Sequence, residues 1–341
     1  MLKISIIIPV YNTPSDLLKR CLASIEDQNY SLYEIIIIDD GSKTDTAYFL
    51  DDIAELTVNC KVIHTVNQGV SAARNIGVKS SCGDYIMFVD ADDVVAPCML
   101  KEAVDTIKHT NADVCYGMVK YVKNNLDDIF SKRDDVLLIE KINTDDKKDT
   151  LIKQLISLGQ KKYTENGLYL SRGPFARLVK HELAIETPFV KELKIGEDGL
   201  WNLQIAKKST NAVVVKSCWY YYVKYDGSAV QRYRDDCEQY ILCAQMHLEE
   251  MDNEMYRIPL LERTIDLFFE VMRSCYGHKN YPYTEYIANK ECRNFIKSNS
   301  NYIKCGFFEF FKLRSKEKFK WLILQYCYYP VTAYKILKML K

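Results

Sequence analysis

Four short apolar runs constrain this chain more than any other feature. Ile4-Ser-Ile-Ile-Ile-Pro-Val10, Ile35 to Ile38, Val62-Ile63 and Tyr85-Ile-Met-Phe-Val89 alternate with segments of helical periodicity. Runs this short and this rich in β-branched residues read as buried strands. Their βαβαβαβ order predicts a largely parallel sheet with helices on both faces, a Rossmann-like α/β arrangement. Ligands of such sheets bind at the carboxyl ends of the strands. Tyr11-Asn12, Asp39-Asp40 and Asp90-Ala-Asp-Asp93 all fall at that end. Side chains alternate along an extended backbone, so Asp90 and Asp92 are expected to point one way and Ala91 the other.

Two carboxylates on one side repel unless a cation or protons lie between them, and hard oxygen donors suit Mg²⁺ or Mn²⁺. An isolated Asp-x-Asp is equally well a solvated turn after a strand. The segments between the strands fit helices. Thr13 is expected to cap the first, with Pro14 at its first position and Asp16 in its opening turn; Leu17, Leu18, Cys21, Leu22 and Ile25 form its apolar face. A second helix runs through Phe49, Leu50, Ile53 and Leu56, and the small residues from Asn67 to Gly77 predict a third that packs close to the sheet.

Several classes are excluded. The loop from Val10 to Ser15 holds no glycine, so the dinucleotide fingerprint is missing, and no P-loop is present. A nucleotidylyltransferase would need a Gly-rich, basic loop there. Asp39-Asp40-Gly-Ser42 lacks the spacing of a phosphohydrolase acid loop. With 46 basic and 46 acidic residues the chain is neutral, which argues against a general nucleic-acid binder. Twelve scattered cysteines without a Cys-x-x-Cys pair, and a start that passes directly into a strand, are expected of reduced thiols in a cytoplasmic protein.

The ordered motifs Ser5-Ile-Ile-Ile-Pro-Val-Tyr-Asn12, Ile37-Ile-Asp-Asp-Gly-Ser42, Asn67-x-Gly-x-Ser-x-Ala-Arg-Asn75-x-Gly77, Phe88-Val-Asp-Ala-Asp-Asp93 and Gly196-Glu-Asp198 resemble the family 2 glycosyltransferases. That resemblance implies a GT-A fold over residues 1–234, followed by a helical region over 235–341. It implies a donor pocket for a UDP-sugar formed by Pro9, Tyr11, Asp39, Asp40, Arg74 and Asp90, with Tyr11 against the base and Asp39 accepting the uracil imide N–H. Asp92, with Asp90, would hold Mn²⁺ or Mg²⁺ at the diphosphate, and Asp93 would orient the turn. Asp198 would be the general base of an inverting transfer to a glycan hydroxyl, with Glu197 beside it. Without the family pattern, Glu197-Asp198 are also simply good helix starters. Ser228 and Arg232 would close a loop over the diphosphate; the alternative is a polar linker.

Between these motifs, Val114 to Val122 is expected as a strand, Asn124 to Lys148 as a charged loop, and His181 as a surface residue. Trp201 suits the core, or an acceptor sugar. Ala212 to Val215 and Cys218 to Val223 are expected as two strands. Beyond Asp235 the pattern is helical, with one face led by Tyr240, Leu242 and Met246. Residues 301–341 hold nine Lys or Arg against two Glu, mixed with Phe307, Phe308, Phe310, Phe311, Phe319, Trp321, Tyr326, Tyr328 and Tyr329. This composition suits peripheral contact with the inner face of the plasma membrane, where a lipid-linked glycan acceptor would be found, or a cap that packs on the catalytic domain or a second subunit. The uncharged stretch from Trp321 to Tyr334 is too short and too broken by Pro330 to span a bilayer. A non-catalytic nucleotide-sugar-binding or scaffold protein is the alternative; Asp39, Asp90, Asp92 and Asp198 together argue against it.

Overall fold

The structure is a computed structural model that describes residues 1–123, 139–156, 164–165, 168–224 and 233–339. It divides into two compact units, Met1–Tyr225 and Asp226–Lys341.

The first unit runs β1 (Ile4–Val10), α1 (Ser15–Glu26), β2 (Tyr33–Asp40), α2 (Thr44–Leu56), β3 (Cys60–Thr65), α3 (Val70–Ser80), β4 (Tyr85–Phe88) and β5 (Val94–Val95). It continues with α4 (Met99–Thr110), β6 (Val114–Lys123), β7 (Ile139–Ile142), α5 (Asp145–Ile156), β8 (Thr164–Glu165), β9 (Leu168–Tyr169) and β10 (Arg177–Lys180), and ends with α6 (His181–Ile185), α7 (Glu197–Lys208) and β11 (Ala212–Lys224). The sheet order is β3-β2-β1-β4-β10-β6-β11-β5. Strands β3, β2, β1 and β4 are parallel, as the apolar runs predict. Beyond them the sheet is mixed, because β10 enters between β4 and β6 antiparallel to both.

Alternation along β1 sorts its side chains to two faces. Ile4, Ile6, Ile8 and Val10 join one buried cluster with Leu18, Cys21, Leu22 and Ile25 of α1 and with residues of α4. Ile7 points the other way, against α3, where a methyl group on Gly77 would overlap its Cγ2. Glycine at 77 is therefore what lets α3 lie close to the sheet.

Four local expectations change. Helix α1 begins at Ser15 with Pro14 as its cap residue and no side-chain cap; the Leu17 and Leu18 N–H groups bond to the Pro14 carbonyl, so Thr13 is not used. Within the expected charged loop, residues 139–142 form a strand paired with β11 and residue 145 begins a helix; residues 124–138 lie outside the described residues. The two strands expected over 212–223 are one, β11, with register irregularities between Val214 and Tyr220. His181 is half-buried, its Nε2 lying 3.0 Å from Ser81 Oγ and 3.1 Å from the Val78 carbonyl, which ties α6 to the end of α3.

The second unit is helical, as expected: α8 (Glu238–Glu250), α9 (Arg257–Val271), α10 (Glu285–Ser298), α11 (Phe307–Lys312), α12 (Ser315–Tyr326) and α13 (Pro330–Met339). Its core gathers Leu261, Ile265, Phe268 and Met272 with Cys292, Ile296, Leu324 and Val331. On α8 the buried face is Tyr240, Cys243, Ala244 and His247, leaving Leu242 and Met246 half-buried. Among the described residues no helix is long and apolar enough to cross a membrane.

The close approach of α3 generates a prediction. Gly77→Ala forces α3 and β1 apart and is expected to lower stability by about 1–3 kcal/mol, read from the urea unfolding midpoint.

Candidate active site

The carboxyl ends of β1, β2 and β4 and the start of α7 meet around Arg74 of α3. Three loops build the β1–β2 side. The Asn12 N–H donates to Ser42 Oγ at 2.9 Å and the Lys43 N–H donates to Asn12 Oδ1 at 2.8 Å. Asn12 has φ 50° and Gly41 has φ 74°, and at Gly41 a Cβ would also lie 2.6 Å from Asn67 N.

Asp39 is buried; its Oδ1 accepts the Ser42 N–H at 2.9 Å and its Oδ2 lies 2.7 Å from His64 Nδ1. The other ring nitrogen of His64 is 3.0 Å from Asp51 Oδ1. Burial pushes the Asp39 carboxyl up, but Ser42 and His64 outweigh it and hold it below its ordinary value. Asp40 is also buried, and its two oxygens accept the Gln68 and Gly69 N–H groups, both at 2.8 Å. It thereby fixes the approach to α3, which starts at Val70 after Gly69 with φ 90° and not at Asn67. Pro9 is half-buried in β1, and Tyr11 beyond it is 57% exposed.

On the other side, the apolar run of β4 stops at Asp90. The Asp90 N–H donates to Tyr220 Oη at 3.1 Å, and that hydroxyl donates to Asp93 Oδ2 at 2.8 Å. The Val223 N–H donates to Asp93 Oδ1 at 2.8 Å. Burial, then the charges of Asp90 and Asp92, push the Asp93 carboxyl well up. Asp93 is the clamp of the turn, and Arg20, donating to the Asp92 carbonyl at 2.8 Å, braces it from α1.

Arg74 is 3% exposed. Its Nη1 lies 2.5 Å from Asp198 Oδ1 and 3.7 Å from Glu197 Oε1, and its Nη2 lies 3.2 Å from Asp90 Oδ1. Its guanidinium sits 5.2 Å from the centre of the Phe189 ring. Phe189 is held by the next residue of the helix: Asn75 Nδ2 donates to the Phe189 carbonyl at 2.9 Å, and the Phe189 N–H donates to Asn75 Oδ1 at 2.8 Å. Burial would lower the Arg74 pKa, but Asp198, Asp90 and Glu197 hold it above its ordinary value. The Nε of Arg74 is buried and has no hydrogen-bond partner among the described residues.

Helix α7 starts after Gly196 in the left-handed conformation, φ 79°. Trp201 is core: it stacks on Phe189, meets Phe88 edge-on, and donates Nε1–H to the Thr187 carbonyl at 2.7 Å, so it is not free to stack on a sugar. The fully buried Arg177 bonds Asn202 of the same helix and the carbonyls of Ser171 and Phe175; burial lowers its pKa to about 10.

Three carboxyl groups, Asp90, Glu197 and Asp198, surround one guanidinium, and Asp92 lies near enough to Asp90 for its charge to act on it. Burial, only partly offset by Arg74, raises the Asp90 pKa to about 6, with Asp198 and Asp92 adding to the rise. Burial and the neighbouring Asp198 push Glu197 up to about 8. The Asp92 carboxylate has no side-chain partner among the described residues, where no group of three or more His, Cys, Asp or Glu is arranged to hold a metal unaided. Hard oxygens in excess of positive charge fit a divalent cation. Ser228 and Arg232 lie outside the described residues.

The structure thus brings Asp39, Asp40, Arg74, Asp90, Asp92, Asp93, Glu197 and Asp198 to one edge of the sheet. Sequence reasoning missed His64, Asn75, Phe189 and Tyr220. Asn75 stood inside a recognisable motif; the others are joined to the site by pairings that no local pattern reveals.

A parallel half-sheet, a mixed extension and a carboxylate-rimmed edge define a GT-A fold, followed here by a helical region. Comparison with known proteins agrees. Residues 5–165, just under half of the chain, match the sequence model of glycosyl transferase family 2, and over that stretch the chain resembles the family. The putative glycosyltransferase EpsH of Bacillus subtilis is 28% identical over 232 residues, 68% of this chain and 63% of that protein. The uncharacterized glycosyltransferase YibD of Escherichia coli is 38% identical over 122 residues, 33% of this chain and 35% of that protein. The chain thus matches between about a third and just under two thirds of these relatives' length. Among solved structures, S. aureus TarS 1-349 in complex with UDP-GlcNAc aligns with a TM-score of 0.65 at 19% identity, over 98% of this chain and 88% of that one. At that identity the likeness is one of fold.

The raised pKa of Glu197 has a stability consequence. Between its ordinary value of 4.5 and about 8 the folded state binds a proton that the unfolded chain has released, so stability falls as pH rises through that window. Glu197→Gln is expected to flatten this fall by on the order of a few kcal/mol between pH 5 and pH 8.5, measured by urea unfolding in the presence of chelator.

Proposed function

We propose that the protein is an inverting glycosyltransferase that moves a hexose or N-acetylhexosamine from a UDP-sugar to a hydroxyl of a glycan acceptor. The observation that carries this reading is the bridge made by Arg74, which sets Asp90, on the donor side, and Asp198, on the acceptor side, around one guanidinium. Asp39, ionised and held in place, is suited to accept the uracil imide N–H, and exposed Tyr11 is suited to cover the base. S. aureus TarS, of the same fold, has been solved with UDP-GlcNAc and with UDP, which supports a UDP-sugar donor.

Asp198 takes the proton of the acceptor hydroxyl as its oxygen bonds to the anomeric carbon; the bond from that carbon to the diphosphate breaks opposite, and its electron pair leaves with UDP. Glu197, protonated at neutral pH, does not compete for that proton and is available as a hydrogen-bond donor. The buried Nε–H of Arg74 offers a diphosphate oxygen a partner. A divalent cation held by Asp92 and Asp90 would supply stabilisation of the charge that develops on the diphosphate.

With Mn²⁺ or Mg²⁺, wild type is expected to release UDP from one member of a panel of UDP-sugars. Asp92→Asn should abolish the metal requirement together with turnover, and Asp198→Asn should slow transfer by about 100-fold or more while UDP still binds. If wild type fails to bind UDP with either metal, the scaffold reading replaces this one.

A lipid-linked acceptor is supported by helix α11, none of whose residues is buried. Phe307, Phe308 and Phe311 are 74%, 79% and 61% exposed and pack on one another. Around them Lys304, Lys312, Lys316 and Lys318 make no ion pair among the described residues. Such a surface suits an anionic bilayer at the inner face of the plasma membrane. Co-sedimentation with phosphatidylglycerol vesicles is expected to exceed that with phosphatidylcholine, and replacing Phe307, Phe308 and Phe311 by Ala should weaken it by about tenfold or more. Equal binding of both lipids would remove the membrane from this reading.

A further inference from the structure

Helix α10 carries a second chemical pattern, within the helical unit. Its buried face is Ala288, Asn289, Cys292 and Ile296. Tyr286, Lys290, Arg293 and Lys297, spaced by four, three and four residues, form a separate stripe on its surface. Tyr328 and Tyr329, in the link between α12 and α13, stand opposite, and the two walls enclose a pocket of about 280 Å³. The Arg293 guanidinium lies 4.0 Å from the centre of the Tyr328 ring, and the two tyrosine rings meet edge-on with centres 4.8 Å apart. Asn289 forms the floor: its Oδ1 accepts the Val331 N–H at 2.9 Å, and its Nδ2 donates to Thr332 Oγ1 at 2.9 Å, which locks α13 to α10.

Charge in this pocket is one-sided. No Asp or Glu lines it. The carboxylates of α10 are engaged elsewhere, Glu285 by Thr332 and Lys335 and Glu291 by the Tyr281 hydroxyl. Lys290, Arg293 and Lys297 make no ion pair among the described residues. Three cations within two helical turns repel one another, and an anion between them removes that cost. Tyrosine faces and hydroxyl edges add surfaces that a sugar ring can use through its C–H and O–H groups. The cations span about 10 Å of helix, longer than one simple anion needs.

We propose that this pocket binds an anionic saccharide, one that carries carboxylate or phosphate groups along its chain. The proposal goes beyond the transferase reading and does not depend on it, since the donor site lies in the other unit. The neutral overall charge of the chain favours a saccharide here over a nucleic acid.

The test is isothermal titration of the full chain with tetragalacturonate, maltotetraose, inorganic phosphate and a tetrameric oligodeoxythymidylate. Tetragalacturonate is expected to bind saturably, with an affinity that falls as salt is raised, and the other three at least about tenfold more weakly. Lys290→Glu combined with Lys297→Glu, at exposed positions that leave the core untouched, should weaken tetragalacturonate by at least about tenfold while UDP affinity is unchanged. Tyr328→Ala should erase the preference over inorganic phosphate. The proposal is overturned if tetragalacturonate does not bind, if the double variant binds it as wild type does, or if the oligonucleotide binds as tightly.

Discussion

A guanidinium cannot be buried without partners, and the first unit is arranged to give Arg74 its partners. Each contact comes from a different stretch of chain: Asp90 from the end of β4, Glu197 and Asp198 from the start of α7, and the Phe189 ring from the segment before it. Asp90 and Asp198 together offset the cost of burying the guanidinium charge. The root of Arg74 is fixed just as firmly, because Asp40 holds the approach to α3 and Asn75 ties that helix to Phe189. The guanidinium is therefore held both at its root and at its head.

Burial then sorts chemically similar acids into different roles. Asp93 and Asp92 are neighbours, yet Asp93 is locked beneath Tyr220 and Val223 while the Asp92 carboxylate has no side-chain partner among the described residues. Glu197 and Asp198 are neighbours too, and burial beside Asp198 drives Glu197 towards the neutral form while Asp198 carries the short ion pair with Arg74. Two adjacent acids on one backbone thus sit in different surroundings because their side chains leave the chain in different directions.

Much of this was legible in the sequence because it is local. Strand ends, the carboxylate pair after β4, the small-residue helix α3 and the acidic start of α7 all follow from periodicity and ordered motifs. What escaped depends on contacts between distant residues. His64 reads as an ordinary strand residue until its register beside Asp39 is known. Tyr220 is one tyrosine in a run of three, and only the pairing of β11 with β5 and β6 brings its hydroxyl to Asp93. The mixed half of the sheet was hidden for the same reason, since β10 is a four-residue strand whose insertion between β4 and β6 leaves no mark on its own sequence. Trp201 was ambiguous because an aromatic at a helix start suits core or ligand equally well, and only the hydrogen bond to Thr187 decides.

The contact between Ile7 and Gly77 also has a meaning for the history of the chain. The two positions share a single volume, so neither can drift alone: a larger residue at 77 requires a smaller one at 7. Across related sequences these sites should therefore vary as a linked pair, one filling the space the other gives up. Seventy residues apart, they record the distance between a helix and a sheet.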